Sequence, residues 1–431
     1  MVDADRPVGH EPLARHGVLR SRHPLMSVLA IFAVVVGVVG VSSVGIGAFA
    51  VWSTASAVAD GAVDIGQDGD VVPPSLGEIE GGVNVLLAGT DSCEGANAAL
   101  STACASGDTD GERNDVTMLV HISDNPRRVT VVSFPRDMIV PIPACPNENG
   151  GADYSAMSAQ MLNASYTYGG LACTVRTIEA LTGEDIQFAA SIRWNGVINM
   201  SDAIGGVDVC VADDISDSHT GLELTAGQHT LQGVEALQFL RIRHGIGDGS
   251  DLGRISNQQQ FMSSMVRKLQ SDGVLANPGV LFNLATTAIS QVTQGQLVLS
   301  RSLANPTLMA QIAMAVKNVP YEDIVFVQYP TRYASGDGAS RVLPVTDSGD
   351  ILFDALRENV PLNLTGDASS GYGVEVTGEA AQPTPSATPT PTETGAASAP
   401  AETTTPEVRV DLPSDISGQT AAQVTCTVAQ R

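Results

Sequence analysis

The longest apolar stretch of the 431-residue chain, 26–52, holds no charged residue. It exceeds the ~20 residues that a helix needs to cross a bilayer, which predicts one transmembrane helix. Arg15, Arg20 and Arg22 precede it, so the positive-inside rule places the N-terminus in the cytoplasm and everything after Trp52 outside. A cleavable signal peptide is the competing reading, because Ala48-Phe49-Ala50 and Ala57-Val58-Ala59 resemble cleavage sites, although its apolar core would run only ~7 to 15 residues. After a Gly-, Ala-, Ser- and acid-rich stretch at 53–80, the pattern turns to short apolar runs. VNVLLA at 83–88 ends on Gly89 and reads as a buried strand feeding a loop. Runs at 115–122 and 128–134 flank Ser123-Asp124-Asn125-Pro126, turn chemistry that predicts a hairpin. Further strands are expected at 186–192, 207–211 and 324–329. Helical spacing recurs at 158–168, 171–182, 194–204, 231–239, 254–271, 275–290 and 307–318.

These elements predict an α/β fold, a mixed central sheet flanked by helices and not purely parallel. The folded region is expected to close near Leu364. From 366 to 407 the chain is rich in Pro, Thr, Ser and Ala and cannot bury enough apolar surface to fold, so it reads as a disordered spacer. The last residues, 408–431, are too few for a domain and form a short tail that Cys426 tethers. The expected division is therefore a cytoplasmic segment at 1–25, the transmembrane helix at 26–52, a juxtamembrane linker at 53–80, a folded domain at 81–365, the 366–407 spacer and the 408–431 tail.

Charge changes this picture by making cations scarce. The chain has 22 Lys+Arg against 47 Asp+Glu, a net charge of −25. The first 25 residues hold four Arg and three acids, a net +1, which leaves −26 on the rest. Such a surface excludes nucleic acid as its partner. Lysine occurs only at Lys268 and Lys317, so the positions of the arginines are informative. All six cysteines lie beyond the apolar run, at 93, 104, 145, 173, 210 and 426. An oxidising compartment and an even count favour disulfides, with 15 connectivities open. The spacings match no standard zinc pattern.

Four segments concentrate charge beside strand ends or loops. Gly89-Thr90-Asp91-Ser92 follows the first strand, where Asp91 can project from the sheet edge. Arg113-Asn114-Asp115 opens the next strand, and residues i and i+2 of an extended chain share a face, so Arg113 and Asp115 are expected to point together. Phe134-Pro135-Arg136-Asp137 ends the hairpin. LRIRHG at 240–245 and DGSDLGR at 248–254 lead into Asn257-Gln258-Gln259-Gln260. Arg241 and Arg243 converge if that segment is extended, and Arg254 and Gln258 share a helix face. Taken singly, an Arg-x-Asp is usually a surface pair worth little. Jointly, five arginines next to strand ends suit a polyanion of fixed geometry, because guanidinium forks grip phosphate oxygens bidentately. Asp91 and Asp115 add hard oxygen donors of the kind that Mg²⁺ uses beside substrate phosphates. Together they describe a pyrophosphate clamp. No Walker loop, kinase signature or G-x-S-x-G elbow accompanies it, and His121 and His244 read as structural or solvent-facing.

NVLLAGTDS, ERNDVTMLVHI, VTVVSFPRDM and LRIRH with DGSDLGRISNQQQF, in this order behind one N-terminal apolar segment, resemble the LytR-CpsA-Psr family of bacterial cell-wall enzymes over roughly 80–365. The resemblance implies a mixed α/β catalytic domain with an apolar tunnel for a polyprenyl chain whose pyrophosphate lies at the mouth. It implies transfer of a glycopolymer phosphate from that carrier to a peptidoglycan hydroxyl at the outer face of the cell membrane. Carried over by motif, Asp91 and Asp115 would bind Mg²⁺, and Arg113, Arg136, Arg241, Arg243, Arg254 and Gln258 would contact the pyrophosphate. Arg136, Asp137, Arg241 and Arg243 form the expected catalytic set, with Asp137 orienting Arg136 or accepting a proton. Two positions depart from the family pattern: Cys93 and Asn257 stand where many relatives have Arg. Cys93 with Cys104 suggests a disulfide-closed loop beside the site, and Cys145 with Cys173 and Cys210 with Cys426 are then the expected pairings among those left open. The alternatives are hydrolysis of polyprenyl pyrophosphates, a membrane-anchored lipid or polyanion sensor without turnover, and an exported structural adaptor.

Overall fold

The computed structural model describes residues 82–101, 104, 112–147, 150–270, 278–335, 341–382 and 408–430, together with 58, 61–66 and 79. The expected cytoplasmic segment, the transmembrane helix, most of the juxtamembrane linker and most of the Pro/Thr-rich stretch lie outside the described residues. Among the described residues no helix is long and apolar enough to cross a membrane.

Two sheets carry the architecture. Their strands are β1 (Val83–Asp91), β2 (Arg113–Ile122), β3 (Val129–Phe134), β4 (Phe188–Arg193), β5 (Val207–Val211), β6 (Gly227–Leu231), β7 (Leu297–Leu299), β8 (Ile324–Gln328), β9 (Val374–Glu379), β10 (Gly418–Thr420) and β11 (Gln423–Thr427). The central sheet runs β7-β4-β1-β2-β3-β8-β10, and the second runs β6-β5-β11-β9. β1, β2 and β3 pair antiparallel, whereas β4 and β8 lie parallel to β1 and β3. The sheet is therefore mixed. The helices are α1 (Ala164–Thr182), α2 (Trp194–Ile204), α3 (Gly233–Arg241), α4 (Asp251–Gln270), α5 (Pro278–Thr293), α6 (Pro306–Val316) and α7 (Thr346–Arg357).

Strand alternation splits the central sheet's side chains between two cores. Leu86, Leu119, Val132 and Phe134 pack with Leu171, Val175 and Ile178 of α1 and Leu352, Phe353 and Leu356 of α7. Val85, Met118, Val131 and Phe326 pack with Leu308 and Ala315 of α6. All six residues of β3 are buried, in keeping with its Val- and Phe-rich composition. A third cluster joins β5, α3 and α4 through Val207, Val209, Phe239 and Phe261.

The structure departs from the sequence expectation at three places. Residues 158–168 do not form one helix: Met157–Met161 is a strand on the Ile139–Ile142 ribbon, and α1 begins at Ala164 and kinks at Gly169-Gly170, where φ reaches +59°. Ribbon pairing there overrides the local helical spacing. α7 is an amphipathic helix that the sequence reading passed over. Finally, the fold continues past 365. β9 lies inside the stretch expected to be a spacer, and β10 and β11 of the expected tail complete both sheets. Pairing with strands already in the sheets supplies the buried surface that the tail cannot generate alone. The sulfurs of Cys93–Cys104, Cys145–Cys173 and Cys210–Cys426 lie at bonding distance, and the last pair fastens β11 to β5.

Candidate active site

The site forms where the C-terminal end of β1 meets the start of β2. Gly89 pairs with Val116 and Thr90 with Asn114, so Asp115 is the extra residue of a β-bulge. A bulge breaks the two-residue alternation and re-aims the inserted side chain. Asp115 and Val116 consequently both line one cavity. The same bulge undoes the expected shared face of Arg113 and Asp115: Arg113 is exposed and outside the cavity lining, and its backbone N–H donates to Asp91 Oδ1 at 2.8 Å.

The cavity, about 240 Å³, lies between β1, β2, α2, α3 and α4. Its wall is almost wholly apolar, including Leu87, Met118, Ile204, Leu240, Phe261 and Met262, and its charged lining is Asp115, Arg241 and Arg254, beside Gln258. Arg254 and Gln258 reach it from one face of α4, one turn apart. The Gln258 side-chain amide donates to Leu240 O at 2.9 Å, which fixes its carboxamide against the end of α3.

An alternating charge network surrounds Arg136. Its Nη1 donates to Asp115 Oδ1 at 2.6 Å, and its Nε lies 3.4 Å from Asp251 and 3.6 Å from Asp137. Arg254 Nη2 donates to Asp115 O at 3.0 Å and sits 2.5 Å from Asp251 Oδ1, while its buried Nε has no hydrogen-bond partner. Burial opposes ionisation of Asp115, but Arg136, then Arg254 and Arg241, hold its carboxyl below the usual range. Asp91 behaves in the opposite way: burial and then the Asp115 charge push it up to about 6. Asp137 is also raised, by burial and then by Asp251. Two carboxylates that repel one another at the cavity mouth are a donor set that suits a hard divalent cation, which would relieve the repulsion. Among the described residues no cluster of three or more His, Cys, Asp or Glu side chains is gathered for a metal.

Arg241 and Arg243 do not converge as an extended segment would place them. Arg241 ends α3 and faces the cavity, with its guanidinium 4.0 Å above the Trp194 ring and its Nη1 donating to Leu100 O at 3.2 Å. Arg243 lies in the following loop, where its Nε donates to Gly249 O at 2.9 Å and its charge acts on Asp137. His121 bonds Asn84 through Nδ1, and His244 stacks on His219.

Two residues without an expected role stand in the site, Trp194 and, within the quoted DGSDLGR segment, Asp251. Trp194, one of only two tryptophans, supplies the aromatic face under Arg241. Asp251 stands three residues before Arg254 at the start of α4, a spacing that signals an i,i+3 pair. Both departures from the family pattern also acquire a structural reason. Asn257 is fully buried, donating to Phe239 O at 2.7 Å and lying 2.6 Å from the Thr427 hydroxyl, so it belongs to the packing beneath β11. Cys93 closes the loop whose Leu100 carbonyl holds Arg241.

The chain is similar to the cell wall biosynthesis protein LcpA of Corynebacterium glutamicum, with 28% identity over 78% of this chain and 66% of that protein. It is 32% identical to the probable cell wall biosynthesis protein LcpB of the same organism, over 53% of this chain and 51% of that one. A polyisoprenyl-teichoic acid–peptidoglycan teichoic acid transferase TagU of Enterococcus faecalis is 28% identical over 38% of this chain and 50% of its own length. The chain thus spans between half and two thirds of these relatives. Its fold matches the structure described as TagT bound to LIIa-WTA, at 18% identity and a TM-score of 0.50, over 69% of this chain and 98% of that one. The LytR_cpsA_psr family model matches residues 51–355, and the chain belongs to that family.

Proposed function

We propose that the protein is a membrane-anchored phosphotransferase that moves a glycopolymer phosphate from a polyprenyl-pyrophosphate carrier to a peptidoglycan hydroxyl in cell-wall assembly. One observation carries this reading: an apolar cavity that ends in Asp115, Arg241, Arg254 and Gln258. Such a cavity suits a ligand that is hydrocarbon at one end and polyanionic at the other, and a nucleotide would not need the apolar wall. The relatives named as cell-wall biosynthesis proteins and as a teichoic acid transferase support the same direction. The 26–52 segment would anchor the chain, with the N-terminus cytoplasmic and the domain outside.

In this mechanism Arg241, Arg254 and Gln258 grip the pyrophosphate oxygens, with Arg243 at the rim. Trp194 holds the Arg241 guanidinium over its ring, so the fork is placed before substrate arrives. Arg136 is held by Asp115, Asp137 and Asp251 in a fixed pose beside the reacting phosphoryl group. Asp91 and Asp115 would hold Mg²⁺, which when bound supplies charge neutralisation on the phosphate oxygens. The acceptor hydroxyl oxygen forms a bond to the glycan-bearing phosphorus, the bond to the bridging oxygen breaks, and the lipid monophosphate departs with that electron pair. Asp137, raised towards the protonated form by burial and Asp251, takes the hydroxyl proton. Catalysis of this kind rests on positioning and electrostatics.

The test is product analysis with purified full-length protein and lipid-linked glycopolymer. A phosphodiester to peptidoglycan fragments is the expected product. Lipid monophosphate released equally without an acceptor would replace transfer by hydrolysis, and stoichiometric lipid binding without any product would replace it by sensing. Mass spectrometry of lipid that copurifies with the protein identifies the carrier.

A further inference from the structure

We infer that the C-terminal segment, 366–382 and 408–430, is a positioning element of the phosphate site, holding the 242–250 loop and the first turn of α4 in the shape that presents Arg243, Asp251 and Arg254. This rests on the pyrophosphate reading of that site and deepens it. The segment lies beyond the residues that the family model matches.

The stretch has little intrinsic backbone stiffness. It carries glycines at 245, 247, 249 and 253, two of them at positive φ. Beside internal bonds from Gly249 N–H to Ile246 O and from Arg254 N–H to Ser250 O, three of its backbone hydrogen bonds are made with the C-terminal segment. Gly247 N–H donates to Val428 O at 3.1 Å, Gln430 N–H to Gly245 O at 3.0 Å and Asp248 N–H to Gly371 O at 3.0 Å. Ile246 forms a β-bridge with Ala429. The orientation of Arg243 depends on the same loop, because its Nε donates to Gly249 O.

Contact next to Arg254 is backbone against backbone. A Cβ at Gly373 would overlap the Gly253 carbonyl oxygen, and one at Gly371 would stand 2.7 Å from Gly253 N. Two glycine backbones in direct contact transmit displacement without a compliant side chain between them. Beneath α4 the Thr427 hydroxyl lies 2.6 Å from both Asn257 Oδ1 and Gln260 Oε1, three and six residues after Arg254. The Cys210–Cys426 pair retains the segment covalently, so the loop's support survives a break anywhere between 383 and 407.

The experiment uses the full chain and two probes: inorganic pyrophosphate, measured by calorimetry, and an apolar fluorophore that fills the cavity. Gly373→Ala is expected to weaken pyrophosphate binding about tenfold, the scale of a sub-ångström to ångström misplacement, while fluorophore affinity stays unchanged. A protease site placed between 383 and 407 supplies the second variant. Cutting alone should change nothing, and cutting followed by reduction should weaken pyrophosphate binding relative to the uncut, reduced protein, again with the fluorophore still bound. Unchanged pyrophosphate affinity in both the Gly373→Ala and the cut, reduced forms would overturn the inference, as would parallel loss of both probes, which marks general unfolding. A wild-type chain that binds the fluorophore but not pyrophosphate would instead remove the phosphate reading itself, and this inference with it.

Discussion

Arg241 is the side chain on which the charged end of the cavity depends most directly. It bridges α3, the Trp194 ring and the Leu100 carbonyl, and burial lowers its pKa although Asp115 and Asp91 oppose that. Arg241→Ala is expected to reduce transfer about 10²- to 10³-fold, the loss typical of one electrostatic donor, with the thermal midpoint nearly unchanged; normal turnover of lipid-linked substrate by the variant would remove Arg241 from the clamp. Asp91 gives a pH prediction with a definite sign. Its folded-state pKa of about 6 lies above the usual 3.8, so its contribution to stability is full below pH ~4 and is lost as pH rises through ~6. Asp91→Asn should therefore stabilise the metal-free protein at pH 7, by about 1 kcal/mol after solvent screening. Mg²⁺ binding should strengthen as pH rises to ~6 and level off above it, and the Asn variant should lose both the binding and its pH dependence; a flat profile from pH 5 to 8 would count against Asp91 as a ligand. At this scale the residue types were legible in the sequence, since scarce arginines and paired aspartates announce phosphate chemistry. Their directions were not, because the bulge at Asp115 shifts the alternation by one residue and leaves Arg113 facing solvent.

α4 shows how one helix serves both site and scaffold. Arg254 and Gln258 face the cavity, while Asn257, Gln259 and Gln260 are buried and bond Phe239 O, Ser133 Oγ and the Cys210 and Thr425 carbonyls. A polar run of this kind reads as an exposed face in sequence, and only tertiary pairing reveals where its hydrogen bonds go. Introducing the arginine that many relatives carry, Asn257→Arg, would place a cation beneath β11 with no carboxylate bonded there. It should cost about 3 kcal/mol or more in chemical denaturation, without adding a phosphate contact; a variant of normal stability with tighter pyrophosphate binding would show that this position belongs to the site. Strands with strong apolar runs, such as β3 and β5, were legible nearly residue by residue, because burial on the sheet dictates their composition. The Met157–Met161 strand was not, since its pairing partner rather than its own pattern decides its form.

For the molecule as a whole, the −26 carried beyond residue 25 and the arginines at the cavity are separate properties, the first set by scattered acids and the second by Arg241 and Arg254, which folding brings to one wall. Chain ends are the part of the fold least legible in composition. Residues 408–430 look too short to fold, yet they add a strand to each sheet and cover α4. The three cysteine pairs at bonding distance make this dependence measurable. They are separated by 11, 28 and 216 residues, and a cross-link removes more unfolded-state entropy as its loop lengthens. Chain-entropy reasoning gives about 3, 3.5 and 5 kcal/mol respectively. Replacing each pair by serines should therefore destabilise in the order Cys93–Cys104, Cys145–Cys173, Cys210–Cys426, read from denaturant midpoints at constant m-value. A tail that merely rested on the domain would invert this, since freeing Cys426 would then cost less than opening either short loop, and the long-range pair would contribute nothing beyond attachment.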